Sequence, residues 1–316
     1  MILYRAFFIA VAIGGVGCLS IAPTSGHAPT VIHLGIMGDS ASDEYRADDD
    51  RGGAYASTTL SWDELLERYR GVNIGRWGTW GGTRRSGYEY NWAHSGATAE
   101  DVVNTGQATG LAQQVAAGEV NTVVLYAGAN DFAIWNGAYA KIYNGTLADK
   151  TLEDYINTIV SSIATAIDTV RAAGPVNMIV TNLAGAASSQ FPDAAKRQLV
   201  TNAVASVNAG IRSVINARPG VALVDFHNAA SDPVVSSRIV VTNGNLMVAG
   251  QGISLQINGD EPHHAFLSDG HAGTVIGCLL ANYIFVKPLD SQFGQNIAPF
   301  SDQECLTYAG IFVGGR

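Results

Sequence analysis

Val31-Ile32-His33-Leu34-Gly35-Ile36-Met37 is a short apolar run bounded by turn-forming residues, the pattern of a strand buried on both faces of a parallel sheet. Three runs of the same kind follow, at Thr122–Tyr126, Met178–Thr181 and Val221–Phe226. Long helical patterns separate them. Leu152, Tyr155, Ile156, Ile159, Val160, Ile163, Ile167 and Val170 recur at three- and four-residue steps. Thr151 and Asp154 read as a capping box ahead of them, and Gly174-Pro175 as the stop. A second helix is expected from about Pro192 to Asn216, carrying Leu199, Val200, Val204, Val207, Ile211, Val214 and Ile215. Strands alternating with helices in this way mean a parallel α/β sheet with helices on both faces.

Two stretches break the alternation. Residues 41–94 are rich in Gly, Trp and Arg, with one helix near Trp62–Arg70 and a short strand at Tyr88–Trp92. Residues 237–257 alternate polar and apolar around Asn243-Gly244, the signal of a β-hairpin. The tail from about Asp290 follows no single pattern, and no internal repeat is present.

With 316 residues, 47% hydrophobic and 14% charged, the chain suits one large α/β domain with trimming segments. The division expected is 1–28 as a signal peptide, 29–289 as the domain and 290–316 as a C-terminal tail. Eighteen Lys+Arg against 27 Asp+Glu give a formal charge of −9, which excludes nucleic acid as a main partner. Residues 1–22 place Arg5 before an apolar run from Ala6 to Gly17, the layout of a secretory signal peptide. A lipid anchor at Cys18 is the weaker alternative, since Gly15-Val16-Gly17 is a poor lead-in. No later segment has 18 uninterrupted apolar residues, so a mature protein without a membrane span, secreted or periplasmic, is expected. Cys278 and Cys305 then remain. They could pair in an oxidising compartment, although Cys278 sits in an apolar helical run where a buried free thiol is the commoner case.

In open α/β sheets ligands bind outside the carboxyl ends of the strands. The first strand ends in Gly38-Asp39-Ser40, which exposes a serine there. The next central strand ends in Gly128-Ala129-Asn130-Asp131, where an Asn amide can face a developing oxyanion or simply cap a helix. Between them, Asn91-Trp92-Ala93-His94-Ser95-Gly96 brings a glycine whose N–H can approach a ligand closely. Ser268-Asp269-Gly270-His271 leads into the apolar helix Val275–Val286 and offers a general base with a carboxylate beside it.

Taken in chain order, these blocks resemble the SGNH/GDSL hydrolases, over about residues 31–286. Trp77-Gly78-Thr79-Trp80 through Asn91 looks like an exported bacterial branch of that family. The resemblance implies a three-layer α/β/α sandwich with a mainly parallel, flavodoxin-like five-stranded sheet, plus the β-hairpin insertion. It implies Ser40 as nucleophile, with its own N–H, Gly96 and the Asn130 side chain as oxyanion donors. His271 is the implied base and Asp269 its orienter, with no metal or organic cofactor. The expected substrate is a carboxylic ester: short-chain, lipid or acetylated carbohydrate.

Two departures from the family pattern stand out. Ala41 follows Ser40 where the family usually has Leu. The family's Asp-x-x-His is shortened to Asp269-Gly270-His271, while Asp260-Glu261-Pro262-His263 keeps the literal spacing without a helix after it. Ser268 or Asp260 could orient the imidazole instead of Asp269. A binding module that keeps the fold without efficient catalysis is the rival reading. Asp48-Asp49-Asp50, between Arg46 and Arg51, reads as a solvated loop rather than a calcium site. The pair His263-His264 with His271 fits no standard metal spacing. Trp77, Trp80, Trp92 and Trp135 are either a sugar-stacking platform or packing under the long loop.

Overall fold

The computed structural model describes residues 31–47, 50–82, 84, 86–186, 188, 190–229 and 240–312. The expected signal peptide, Cys18, and Asp48-Asp49 lie outside them. In chain order the first elements are β1 (Leu34–Gly38), α1 (Trp62–Arg70), β2 (Trp77–Thr79), β3 (Ser86–Tyr88), α2 (Ala99–Asn104) and α3 (Gln107–Ala116). Then come β4 (Thr122–Tyr126), α4 (Ala138–Tyr143), α5 (Asp149–Ala172), β5 (Asn177–Thr181), α6 (Ala194–Asn216) and β6 (Val221–Val224). The three-stranded β7 (Val241–Thr242), β8 (Asn245–Val248) and β9 (Gln251–Ser254) precede α7 (Thr274–Ala281), α8 (Lys287–Phe293) and α9 (Asp302–Tyr308).

The main sheet is parallel, in the order β1-β4-β5-β6. Side chains alternate between its two faces, as the pleat requires. Leu34, Ile36, Val124 and Ile179 pack with Trp62, Leu65, Val275 and Leu279 on one side. Met37, Val123, Leu125, Met178 and Val180 pack with Leu111, Ile163, Ile167 and Val207 on the other. This double burial is why the strands read as unbroken apolar runs, and it gives the three-layer sandwich.

The described sheet has four strands, where the family resemblance implied five. The place beside β1 is held by two short pieces instead. Leu34 N–H donates to the Asn73 carbonyl at 2.8 Å, Ile36 N–H to the Tyr90 carbonyl at 2.9 Å, and Trp92 N–H to the Ile36 carbonyl at 2.8 Å. Only single bridges form there, His33 with Asn73 and Ile36 with Asn91. The strand expected at Tyr88–Trp92 accordingly shifts to Ser86–Tyr88, where it pairs with β2.

The α5 cap also differs from expectation. The helix begins at Asp149, so Thr151 falls at its third position and its hydroxyl accepts the Ala148 N–H at 3.3 Å. Asp154 instead pairs with Lys150 one turn back. The expected hairpin forms as β7–β8, with Asn243 at φ 51° and Gly244 at φ 77° in its turn, and β9 adds a third strand. The segment beyond Asp290 packs back on the domain: Phe300, Cys305 and Leu306 are buried. Cys305 forms a disulfide with Cys278 of α7, so the free-thiol reading gives way to the pair.

Candidate active site

Ser40 follows β1 at the carboxyl edge of the sheet and is 8% exposed. The backbone that delivers it is clamped on several sides. Gly38 N–H donates to Gln107 Oε1 at 2.8 Å, and Gln107 Nε2 returns a bond to the Gly38 carbonyl at 3.0 Å. Asp39 N–H reaches the Tyr126 carbonyl at 3.2 Å. A Cβ on Gly38 would stand 2.1 Å from the Tyr126 carbonyl oxygen, so this close approach of strand to strand admits only glycine.

Asp39 is itself buried. One carboxylate oxygen accepts the Ala41 N–H at 2.9 Å, and the other, Oδ2, has no hydrogen-bond partner among the described residues. Burial pushes this acid up to about 7, with the charges of Asp131 and Asp43 adding to the effect.

A chain of contacts joins the remaining site residues. Asn130 lies in a short turn after β4, and its Nδ2 donates to the Ala97 carbonyl at 2.9 Å. Gly96 precedes Ala97 and is exposed. On its other side, Ser95 N–H is held by Asp43 Oδ2 at 2.8 Å and Ser95 Oγ receives Arg51 Nη2 at 3.1 Å. Arg51 in turn reaches Asp269, through Nε to Oδ2 at 2.9 Å, and lies 3.5 Å from His271 Nε2.

Asp269 and His271 meet despite their short spacing. His271 Nδ1 is 2.8 Å from Asp269 Oδ2, and the His271 backbone N–H donates to Oδ1 at 3.0 Å. Gly270 makes this compact turn at φ 93°, a conformation other residues rarely adopt. Partial burial raises the Asp269 acid, but the His271 ring, its backbone N–H and the Arg51 charge outweigh it and hold the carboxyl well below the usual range. The two alternative orienters are placed elsewhere: Asp260 Oδ1 accepts the Ser268 N–H at 2.8 Å. His263 is exposed, and His264 faces Glu261 at 3.6 Å.

Asp39, Ala41 and Asn130 border an apolar pocket whose free space, counted out to its mouth, is about 730 Å³. Ala127, Phe132, Leu183 and Val204 line it, and Trp135 stands at its rim, 65% exposed. Ala41 also borders a small crevice with Tyr45, Trp62 and His271. Ser40 lies in the chain between Asp39, which borders the first space, and Ala41, which borders both. The tryptophans of the long loop are taken up by arginines: Arg46 stacks on Trp77, Arg76 and Arg84 on Trp80, and Arg84 on Trp92.

Sequence patterns pass over Arg51, Ser95 and Gln107. Arg51 reads as one more charge beside an aspartate run, and nothing local shows that its side chain is 6% exposed. Gln107 opens a helix and carries no motif at all.

A family model described as GDSL-like lipase/acylhydrolase matches residues 34–246. The match contains Ser40, Gly96 and Asn130 and ends ahead of Asp269 and His271. Among solved structures, the chain is similar to a carbohydrate esterase family 3 protein from Talaromyces cellulolyticus, at 15% identity and a TM-score of 0.43. It is also similar to an acetyl esterase mutant with acetate ion, at 14% identity and a TM-score of 0.42. Each comparison covers 84% of this chain and 99% of the other. A search of curated proteins finds no match. The family model spans more than half of the sequence, and the chain belongs to the GDSL-like lipase/acylhydrolase family.

Proposed function

We propose that the protein is a serine ester hydrolase that works outside the cytoplasm. Ser40 attacks the acyl carbonyl while His271 Nε2 takes its proton, and His271 then returns that proton to the leaving alcohol. Water, activated by the same imidazole, hydrolyses the acyl-enzyme. The backbone N–H groups of Ser40 and Gly96 and the second N–H of the Asn130 amide receive the oxyanion, each worth roughly 10²–10³ in rate. The observation that carries this reading is the 2.8 Å approach of His271 Nδ1 to Asp269 Oδ2, which places the carboxylate beside the imidazole. The shortened spacing, the main ground for a non-catalytic module, does not separate the two groups.

The pocket beside Asn130 is lined by apolar side chains such as Ala127, Phe132, Leu183 and Val204, which favours an apolar acyl chain. Export is supported by the Cys278–Cys305 disulfide and by the N-terminal sequence pattern.

A fluorophosphonate probe should label the folded protein at Ser40, and labelling should vanish in Ser40→Ala. Folded protein that is not labelled would overturn the serine mechanism. In a series of chromogenic esters, kcat/KM should rise from acetate to longer acyl chains. Val204→Phe, which fills the pocket, should move the optimum toward acetate.

A further inference from the structure

Among the described residues, Arg51 is the one cation that touches both halves of the site, the Asp269-His271 pair and the loop carrying Gly96. Its Nε donates to the same Asp269 oxygen that faces His271 Nδ1. Its Nη2 holds Ser95 Oγ and stands 3.5 Å from His271 Nε2, too far for a strong hydrogen bond but close for a charge. The guanidinium is buried at 6% exposure and lies over the Tyr45 ring at 5.3 Å, so solvent screens it poorly.

We propose that Arg51 is a positioning residue that fixes the tautomer of His271. The inference rests on the ester-hydrolase reading of the site. A guanidinium has donors and no acceptor, so a proton on Nε2 would point at another donor. The neutral ring is therefore held with its proton on Nδ1, toward Asp269, and its lone pair on Nε2. Through Ser95 the same guanidinium ties the imidazole to the loop that carries Gly96.

Asp269, the acceptor that faces Nδ1, favours the same tautomer as Arg51. Tyr45 packs edge-on at 6.4 Å and is neutral, because burial pushes its phenol up and its hydroxyl donates to the Ala272 carbonyl at 2.9 Å. Asp43 and Asp260 accept the N–H groups of Ser95 and Ser268.

The test compares Arg51→Gln and Arg51→Lys with the parent protein in two measurements. One is kcat and KM on a slow, unactivated ester, and the other is the 15N NMR shifts of the His271 ring in mildly alkaline buffer, assigned with His271→Gln, which report the nitrogen that carries the proton. In the parent protein that nitrogen should be Nδ1, and in Arg51→Gln, whose amide oxygen can accept, the ring should become a mixture of tautomers while kcat falls several-fold. Arg51→Lys keeps donors without an acceptor and should hold the parent tautomer. Parent-like ring shifts in Arg51→Gln would make Arg51 scaffold only and overturn the inference. If Arg51→Gln does not fold, Arg51→Met takes its place in the same measurement, and parent-like ring shifts there overturn it. The ring measurement needs no turnover, so it decides the role of Arg51 even where Ser40→Ala leaves ester hydrolysis intact and the serine mechanism itself fails.

Discussion

The Asn130 side-chain amide and the Ala97 carbonyl, 33 residues apart in sequence, are joined by a 2.9 Å hydrogen bond. One amide N–H is thereby fixed, and the plane of the group sets the direction of the second. On the proposed mechanism Asn130→Ala should lower kcat by roughly 10²–10³ while KM changes little, because the lost donor would act on charge present only in the transition state. Steady-state kinetics on one ester checks this. A raised KM with intact kcat would place Asn130 in substrate binding.

Its neighbour has a different task. Asp131 Oδ2 accepts the Ala99 N–H at 2.9 Å, so it caps the start of α2, a preceding helix rather than the one that follows it in sequence. Asp131→Ala should cost about 1–2 kcal/mol in denaturant unfolding. Activity per folded molecule should change less than threefold, well under 1 kcal/mol in barrier height.

Buried carboxyls give stability an unusual pH slope. Burial pushes Asp39 up to about 7 and Asp131 up to about 6, and raises Asp63 and Glu44 as well. Between about pH 4 and 7 the folded chain therefore holds protons that the unfolded chain has released, so stability falls as pH rises through that window. Asp269, held low, acts only below its ordinary range and leaves the window untouched. The melting temperature should drop by about 5 °C or more from pH 5 to pH 8. A flat or rising profile would contradict the burial of these groups as acids.

Asp269 and Asp260 should separate cleanly. On the proposed mechanism Asp269→Asn removes the orienting carboxylate and should cut kcat by roughly 10²–10⁴ with the fold intact. Asp260→Asn touches only a turn at Ser268 and should cost less than about threefold. The reverse ranking would reassign the orienter.

The disulfide gives a fifth test. Cys278 and Cys305 lie 27 positions apart in sequence, and opening such a loop costs roughly 3–4 kcal/mol in the chain-entropy model. The Cys278→Ala, Cys305→Ala double variant should lose about that much. The parent protein should show the same loss under reducing agent.

Elements with a strong periodicity are legible in the amino-acid sequence. β4 begins and ends where its apolar run does, and α1 spans Trp62–Arg70, because local pattern and burial coincide there. Ser40, Gly96, Asn130 and His271 stand out because each lies at the end of an element, where a polar residue or a glycine interrupts an apolar rhythm. The contacts that join them leave no such trace. Arg51 to Asp269 spans 218 residues and Gln107 to Gly38 spans 69, and no local signal reports a side-chain contact over such distances. The α5 cap misleads for a different reason: Thr151 and Asp154 fit a capping box, but the helix starts three residues earlier, at Asp149, and uses Thr151 from the inside.

The irregular backbone beside β1 has a consequence for how copies of the protein behave toward one another. A free strand edge is a template on which a second chain can add, the first step of sheet-mediated aggregation. Here the strand that leads to Ser40 has its outward N–H groups at Leu34 and Ile36 already taken by Asn73 and Tyr90. The covering pieces bond for one or two residues and turn away, so they offer no continuous ladder of their own. The long Gly- and Trp-rich insertion thus blunts this side of the sheet, and concentrated solutions of the protein gain no route to fibres through it.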